Sequence, residues 1–402
     1  MWRGDEIAFA FDTVHEVLRA HEPLWRPSPW RTLTLPWERD HPALATALRA
    51  LPREAVVALE QDPTACALPD PWPAWREAIH AVGVAGALPQ QPHPAARWPM
   101  RARKQAQVDG FLATASLVLH GAAAVVEGCS GVGHLGRALG AHHRLPVRLL
   151  ERDPGLCRTP AGAYDTDVTH TRCDLGDDAA PWLRRDDGVV ALHACGTLTD
   201  RLLDGARRAG AHAVVAAPCC YHRLIGTTRY EPTSARAQRD DLALDVDILR
   251  VATRETTHAG ARRTRLRAVE LQSRVAWDLW RRRVDDRHHP LPAMSRTAFH
   301  VDLRSFLDAR ADAQGVPRFD GDLDALSTEA DQRVTTLRAL DLPRVVARRA
   351  FELWIVLDRA LTLVEAGWDV AVGTFCPAAC TPRNLAITAR RSAGQQAPRR
   401  TP

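Results

Sequence analysis

Two short stretches concentrate the residue types that do chemistry. One is Val190-Ala191-Leu192-His193-Ala194-Cys195-Gly196; the other is Ala216-Ala217-Pro218-Cys219-Cys220-Tyr221-His222. Each runs from an apolar, strand-forming segment into thiols and imidazoles. In a doubly wound sheet, ligands sit outside the carboxyl ends of the strands. If these two strands are neighbours, His193, Cys195, Cys219, Cys220 and His222 converge at one mouth. Several readings are open. The groups line a substrate pocket, in which an imidazole with an unperturbed pKa near ~6.5 takes a proton. Alternatively, Cys219 or Cys220 is a nucleophile that adds to a pyrimidine ring, which requires a lowered thiol pKa. Soft ligands for zinc are present too, but no Cys-x-x-Cys pair is. Finally, the cysteines are small buried hydrophobes. The reading carried forward is pocket lining with no metal. Tyr221, one of three tyrosines, joins it because its ring could stack on a base or hold adenine.

A third stretch, Ala124-Val125-Val126-Glu127-Gly128-Cys129-Ser130-Gly131-Val132-Gly133-His134-Leu135-Gly136, reads as strand, tight turn and helix start. Gly131 and Gly133 let the backbone approach a ligand closely, and the helix start offers unpaired N–H groups. Glu127 is placed to meet the ammonium or amino-acid end of that ligand. Eighteen residues past Gly133 stands Glu151, at the end of the next strand, where a carboxylate accepts hydrogen bonds from ribose hydroxyls. Asp174 ends the third strand candidate and could approach an adenine. Gly131–Gly136 also fits the dinucleotide fingerprint literally. A nicotinamide-dependent oxidoreductase, a non-catalytic binding module and a glycine turn made for packing are therefore alternatives. If the module reading holds, removing His193 and Cys219 leaves the biological effect intact. Among 53 basic residues Lys104 is the only lysine, and Asn384 is the only asparagine. Arginine replaces lysine at most surface sites but not where a compact, flexible ammonium is needed, so Lys104 is a candidate site residue.

The elements that must hold these groups alternate as strand and helix. That pattern predicts an α/β fold on a Rossmann-like, doubly wound sheet. A helix is expected near Ala102–His120, and strands at Ala123–Glu127, Val147–Glu151, Thr171–Asp174, Val189–His193 and Ala213–Ala217. From about Ala235 to Arg349 the pattern is helical. Helix Val345–Glu365 and strands Asp369–Phe375 and Asn384–Ala389, a C-terminal antiparallel hairpin, close the chain. Residues 1–98 hold seven of twelve Trp and many Pro. Helices are expected there near Phe11–Ala20, Pro42–Ala50 and Trp75–Val82, with a linker at Pro89–Pro94. The expected organisation is an N-terminal helical region (1–98), a cofactor-binding core (99–234), a helical insertion that shapes acceptor binding (235–349), the closing helix and hairpin (350–390) and a disordered tail (391–402).

The 402 residues are 46% hydrophobic and 25% charged, an ordinary globular balance for two or three domains. Met1–Val17 carries Arg3, Asp5, Glu6 and His15, so it does not read as a signal peptide. No apolar run approaches the ~18 residues of a membrane span. Nine cysteines, an odd number, argue for free thiols or ligands and against a disulfide framework. The expected location is the cytoplasm, with no membrane partner. Between Ile248 and Arg283 ten Arg stand against Glu255, Glu270 and Asp278. That stretch could meet a polyanion such as RNA or be a solvated helix face.

Glu127–Arg137, His193-Ala194-Cys195-Gly196 and Pro218-Cys219-Cys220-Tyr221-His222 together resemble a class I methyltransferase domain family. Its bacterial members are mostly uncharacterised. Its eukaryotic relatives include a tRNA 2′-O-methyltransferase and the methyltransferase domain of a glutathione-transferase-like protein. The resemblance extends to Met100-Arg101-Ala102-Arg103-Lys104-Gln105, to Glu352–Arg359 and to Cys380-Thr381-Pro382-Arg383-Asn384. It implies S-adenosyl-L-methionine as cofactor, with Glu127, Gly131 and Gly133 at its methionine part and Glu151 at its ribose. Lys104 and His193 fall within cofactor-contacting segments. Cys129 stands where many methyltransferases have their first glycine, and Val132 replaces a lysine between the two glycines. The expected activity is S-adenosylmethionine-dependent methyl transfer, to an acceptor that is preferentially RNA. Methyl transfer from a sulfonium is an in-line displacement in which positioning supplies much of the rate. A base is needed only if the acceptor carries a proton to lose.

Overall fold

The structure, a computed structural model, describes residues 1–32, 34–83, 85–93, 102–157, 167–254, 261–285, 287–292 and 294–392. Its chain falls into two compact units. The first comprises Met1–Arg19, Val82–Arg254 and Arg348–Pro402; the second comprises Ala20–Ala81 and Glu255–Ala347. This division differs from the expected boundaries. Residues 20–81 pack with the helical insertion, while the first and last parts of the 1–98 region lie with the sheet.

The first unit is built on one eight-stranded sheet. Its strands are β1 (Trp2–Arg3), β2 (Ala124–Gly128), β3 (Val147–Glu151), β4 (Val168–Arg172), β5 (Asp187–Ala191), β6 (Ala213–Ala216), β7 (Trp368–Thr374) and β8 (Leu385–Arg391). They lie in the order β1-β7-β8-β6-β5-β2-β3-β4. From β4 to β6 every pairing is parallel; β8, β7 and β1 are antiparallel additions. The central strands Ala-Val-Val-Glu-Gly, Asp-Gly-Val-Val-Ala and Ala-Val-Val-Ala are β-branched and buried almost throughout, as parallel strands covered on both faces must be. Helices Ala102–Val118 and His134–His143 cover one face. There Val108, Phe111, Leu112, Leu135 and Leu139 pack on Val125, Leu149, Val190 and Val215.

Several expected bounds shift. The third strand starts at Val168 and ends at Arg172, so Asp174 lies two residues beyond it, not at its end. The fourth ends at Ala191, which puts His193 in the following turn. The expected helix Val345–Glu365 is two helices, Leu342–Val346 and Arg348–Glu365. β8 runs through Arg391, so that residue is strand and not tail; residues 393–402 lie outside the described residues, as do Met100, Arg101 and the last residue of the Pro89–Pro94 linker.

The second unit is helical, with a core of Trp277, Trp280, Phe306, Phe319, Leu326 and Val334. Trp25, Trp37 and Trp75 are fully buried, and the Trp75 indole N–H donates to the Pro343 carbonyl at 3.0 Å. Its Ala261–Asp285 helix carries several ion pairs. Arg267 and Arg274 pair with Glu270, Arg282 with Asp278 and Arg283 with Glu329. Among the described residues no helix is long and apolar enough to cross a membrane.

Candidate functional site

The sheet order reverses between β2 and β5, which are direct parallel neighbours. Loops leaving the carboxyl ends of such strands diverge and open a crevice. The glycine loop follows β2. Gly131 and Gly133 have φ of 57° and 79°, in the left-handed region where a Cβ is strained. Their surroundings differ. A Cβ on Gly133 would lie 2.0 Å from Leu149 Cδ1, whereas one on Gly131 would meet nothing within 4 Å. Gly133 is therefore needed for packing, and Gly131 borders open space.

Both loop carboxylates are tied to backbone donors. Glu127 is buried and accepts from the Gly136 N–H at 2.7 Å. Burial pushes its pKa up to about 8, against the pull of that N–H and of Arg137. Glu151 Oε2 accepts from Gly131 N–H at 2.8 Å, and Oε1 from Arg152 and Asp153 N–H at 2.9 Å each. Of about four lone-pair directions on a carboxylate, three are filled, and the open one is on Oε2. Asp174 is exposed and accepts from Gly176 N–H at 2.9 Å.

The two chemistry-bearing turns meet as their strands do. Cys195 and Cys219 form a parallel bridge beyond β5 and β6, with Gly196 N–H donating to Cys219 O at 2.9 Å. Gly196 permits this approach: its φ is 56°, and a Cβ there would lie 1.9 Å from Arg223 O. Cys195 Sγ and Cys219 Sγ are 3.4 Å apart, and Cys220 Sγ completes a group within 4.8 Å. Cys220 has a φ of 46°. Hydrogen bonds from the Cys195 and Cys219 thiols, then His222 and Arg223, hold Cys220 well below the usual thiol range, while Cys195 and Cys219 are pushed up.

Lys104 reaches this mouth from the Ala102–Val118 helix. Its Nζ donates to Gln107 Oε1 at 3.0 Å and to His193 Nε2 at 2.9 Å. Burial lowers the Lys104 pKa. Burial, then Lys104 and Arg383, hold His193 down to about 4. His193 is thus a neutral acceptor whose Nε2 is engaged, a poor arrangement for a free base. His222 is better placed. Its Nδ1 lies 3.2 Å from Thr253 Oγ1, which donates to Arg250 O at 3.0 Å. The network assigns the proton to Nδ1 and leaves Nε2 as the lone-pair nitrogen.

Tyr221 departs from expectation. It is fully buried, its hydroxyl donates to Glu352 Oε1 at 3.0 Å, and the Arg359 guanidinium lies 5.6 Å from its ring centroid. Its ring belongs to the core. The Arg223 N–H donates to the Cys220 carbonyl at 2.8 Å, so Tyr221 and His222 are the central residues of a turn. Arg359 also clamps Asp200 and the Gly196 carbonyl, the latter at 3.0 Å, and so supports the thiol turn from behind. Sequence reasoning missed Gln107, Thr253, Arg383 and the supporting roles of Gly196 and Arg359. Gln107 was within reach, since it stands at i+3 from Lys104 on a helix. Asn384 is buried, accepts from Arg349 at 3.0 Å and donates to Cys376 O at 2.8 Å. It pins the β7–β8 loop that carries Arg383.

Comparison with known proteins adds what geometry alone does not. Residues 103–227 match the family model of a methyltransferase domain. The match supports a methyltransferase. It spans Lys104, the glycine loop and both cysteine turns. A glutathione S-transferase C-terminal domain-containing protein of Xenopus laevis is 31% identical over 144 residues, 34% of this chain and 22% of that protein. A homologue of the same description from Drosophila pseudoobscura pseudoobscura is 32% identical over 123 residues, 29% of this chain and 20% of that protein. The chain thus spans about a fifth of the length of these relatives. No solved structure matches.

Proposed function

We propose that the protein is an S-adenosylmethionine-dependent methyltransferase of the class I, Rossmann-like type. In this reading the cofactor lies over the Gly131 loop, and its acceptor enters at the His193–Cys195–Cys219–Cys220–His222 mouth. One observation carries it: the glycine loop after β2 and the two thiol turns after β5 and β6 open at the same end of three adjacent parallel strands. The open space at Gly131 and the free lone-pair direction on Glu151 fit a nucleoside there. When bound, the cofactor supplies an electrophilic methyl group on a positively charged sulfur.

The chain's own groups do the positioning. Glu151 accepts one ribose hydroxyl through Oε2 directly, and a second only if Gly131 N–H releases it. Asp174, exposed beyond β4, is available to the adenine. Glu127 works indirectly, fixing the Gly136 N–H and hence the loop. Lys104, with Gln107, fixes the His193 ring. His222 Nε2 takes a proton from an acceptor that must lose one. The nicotinamide reading shares the loop, but nothing at the thiol turns favours it.

RNA is the acceptor class we propose to test first. Ion pairing along the Ala261–Asp285 helix lowers the charge that helix offers a polyanion. The supporting argument is then the pair of basic side chains, Lys104 and Arg383, beside His193. The deciding experiment incubates the full chain with methyl-labelled S-adenosylmethionine and fractionated RNA, protein and small metabolites. Label in RNA supports the acceptor reading, label only in metabolites overturns it, and label in no fraction counts against the enzyme reading itself.

A further inference from the structure

We propose that Cys195, Cys219 and Cys220 form a binding site for a soft divalent cation of the zinc class, with one coordination position left for an exogenous ligand.

The three Sγ atoms lie within 4.8 Å of one another, and the Cys195–Cys219 pair is 3.4 Å apart. Tetrahedral zinc with Zn–S bonds of about 2.3 Å separates its thiolates by about 3.8 Å. The trio therefore closes on an ion by small side-chain rotations, with no change in the strands. All three thiols are free. Gly196 adopts a conformation closed to other residues so that the two turns can touch, and Cys220 holds a left-handed φ of 46°. Strain of this kind costs about 1–3 kcal/mol and persists where the surroundings impose it. Small buried hydrophobes would not require it.

No fourth His, Cys or carboxylate belongs to the group among the described residues. Three protein ligands with a vacant position is the pattern of a site that takes water or a substrate atom. Cys195 and Cys220 are only half-buried, so a small ligand can reach them. Three thiolates carry one negative charge more than the ion neutralises. The Lys104 ammonium, which acts on Cys219, offsets it. Each thiol releases its proton to solvent on binding.

The site does not depend on the adenosyl reading, and its test is independent of methyl transfer. Full-length reduced protein, prepared without a histidine tag, is analysed for metals and then titrated with Co(II) after chelation. The proposal expects about one zinc per chain and a 1:1 Co(II) complex with intense thiolate-to-cobalt charge-transfer absorption. Cys195→Ser, Cys219→Ser and Cys220→Ser should each weaken Co(II) roughly tenfold or more, whereas Cys376→Ser should not. Trace metal together with a Co(II) spectrum lacking charge-transfer bands in the wild-type chain overturns the proposal. That wild-type measurement decides the matter even if a variant fails to fold.

Discussion

Gly131 and Gly133 stand two residues apart in one turn, yet their replacement by alanine should have opposite consequences. Both occupy left-handed backbone, with φ of 57° and 79°, where an L-residue costs about 1–2 kcal/mol. Part of that is returned by the lower entropy of the unfolded chain, about 0.4–1 kcal/mol. For Gly131→Ala nothing else is added, because its Cβ meets no atom within 4 Å. The expected loss of stability is about 1 kcal/mol. For Gly133→Ala the Cβ would lie 2.0 Å from Cδ1 and 2.9 Å from Cδ2 of Leu149, which is fully buried. Overpacking adds about 1–3 kcal/mol, for a total near ~2–4 kcal/mol. Urea denaturation measures both, and calorimetry with S-adenosylhomocysteine measures the loop's other task. Gly131→Ala should weaken that ligand at least tenfold, about 1.4 kcal/mol, while costing only about 1 kcal/mol of stability. Unchanged affinity in Gly131→Ala would mean that the ligand does not lie over this turn. A Gly133→Ala chain as stable as wild type would refute the packing argument.

Other consequences are equally concrete. Glu151→Gln should weaken adenosyl ligands by about 1.5–3 kcal/mol, since it removes a charged acceptor; equal calorimetric affinities would remove Glu151 from the site. Glu127 has its pKa raised by burial from 4.5 to about 8, so the folded chain binds its proton more tightly than the unfolded one. Its stabilising contribution is complete below pH ~4.5 and is lost as pH rises through ~8, on the order of 5 kcal/mol. Glu127→Gln should flatten that decline in urea midpoints between pH 5 and 9, and parallel curves for the two proteins would contradict the assignment. Arg359→Leu should cost about 3–5 kcal/mol by leaving Asp200 uncompensated, with much of the loss recovered in the Arg359→Leu/Asp200→Leu pair. A single variant within 0.5 kcal/mol of wild type would show that the clamp carries no weight.

What the sequence made legible follows a physical rule. β3 lies where Val147-Arg148-Leu149-Leu150-Glu151 predicts it, because an apolar run ended by an acid and flanked by turn residues has one reading. β4, Val-Thr-His-Thr-Arg, is a partly exposed edge strand, so its apolar signal is weak and its expected position slid onto Cys173 and Asp174. The two-residue β1 is held by pairing with β7 alone, and local sequence carries no trace of it. The meeting of the His193 and Cys219 turns depended on strand order, and the β5–β6 pairing supplies it. Tyr221 misled because residue type says what a ring can do and not which way it points. Tyr221 sits in a turn closed from the Arg223 N–H to the Cys220 carbonyl, and its ring is fully buried. The joining of residues 20–81 with 255–347 in one unit is a long-range association, invisible to any local pattern.

Calorimetric titration of the full chain with S-adenosylmethionine, S-adenosylhomocysteine and NADH tests the central claim most directly. The account predicts one site that takes both adenosyl ligands and is weakened in Gly131→Ala and Glu151→Gln, with no heat from NADH. Saturable NADH binding, or adenosyl binding that neither substitution affects, would contradict it.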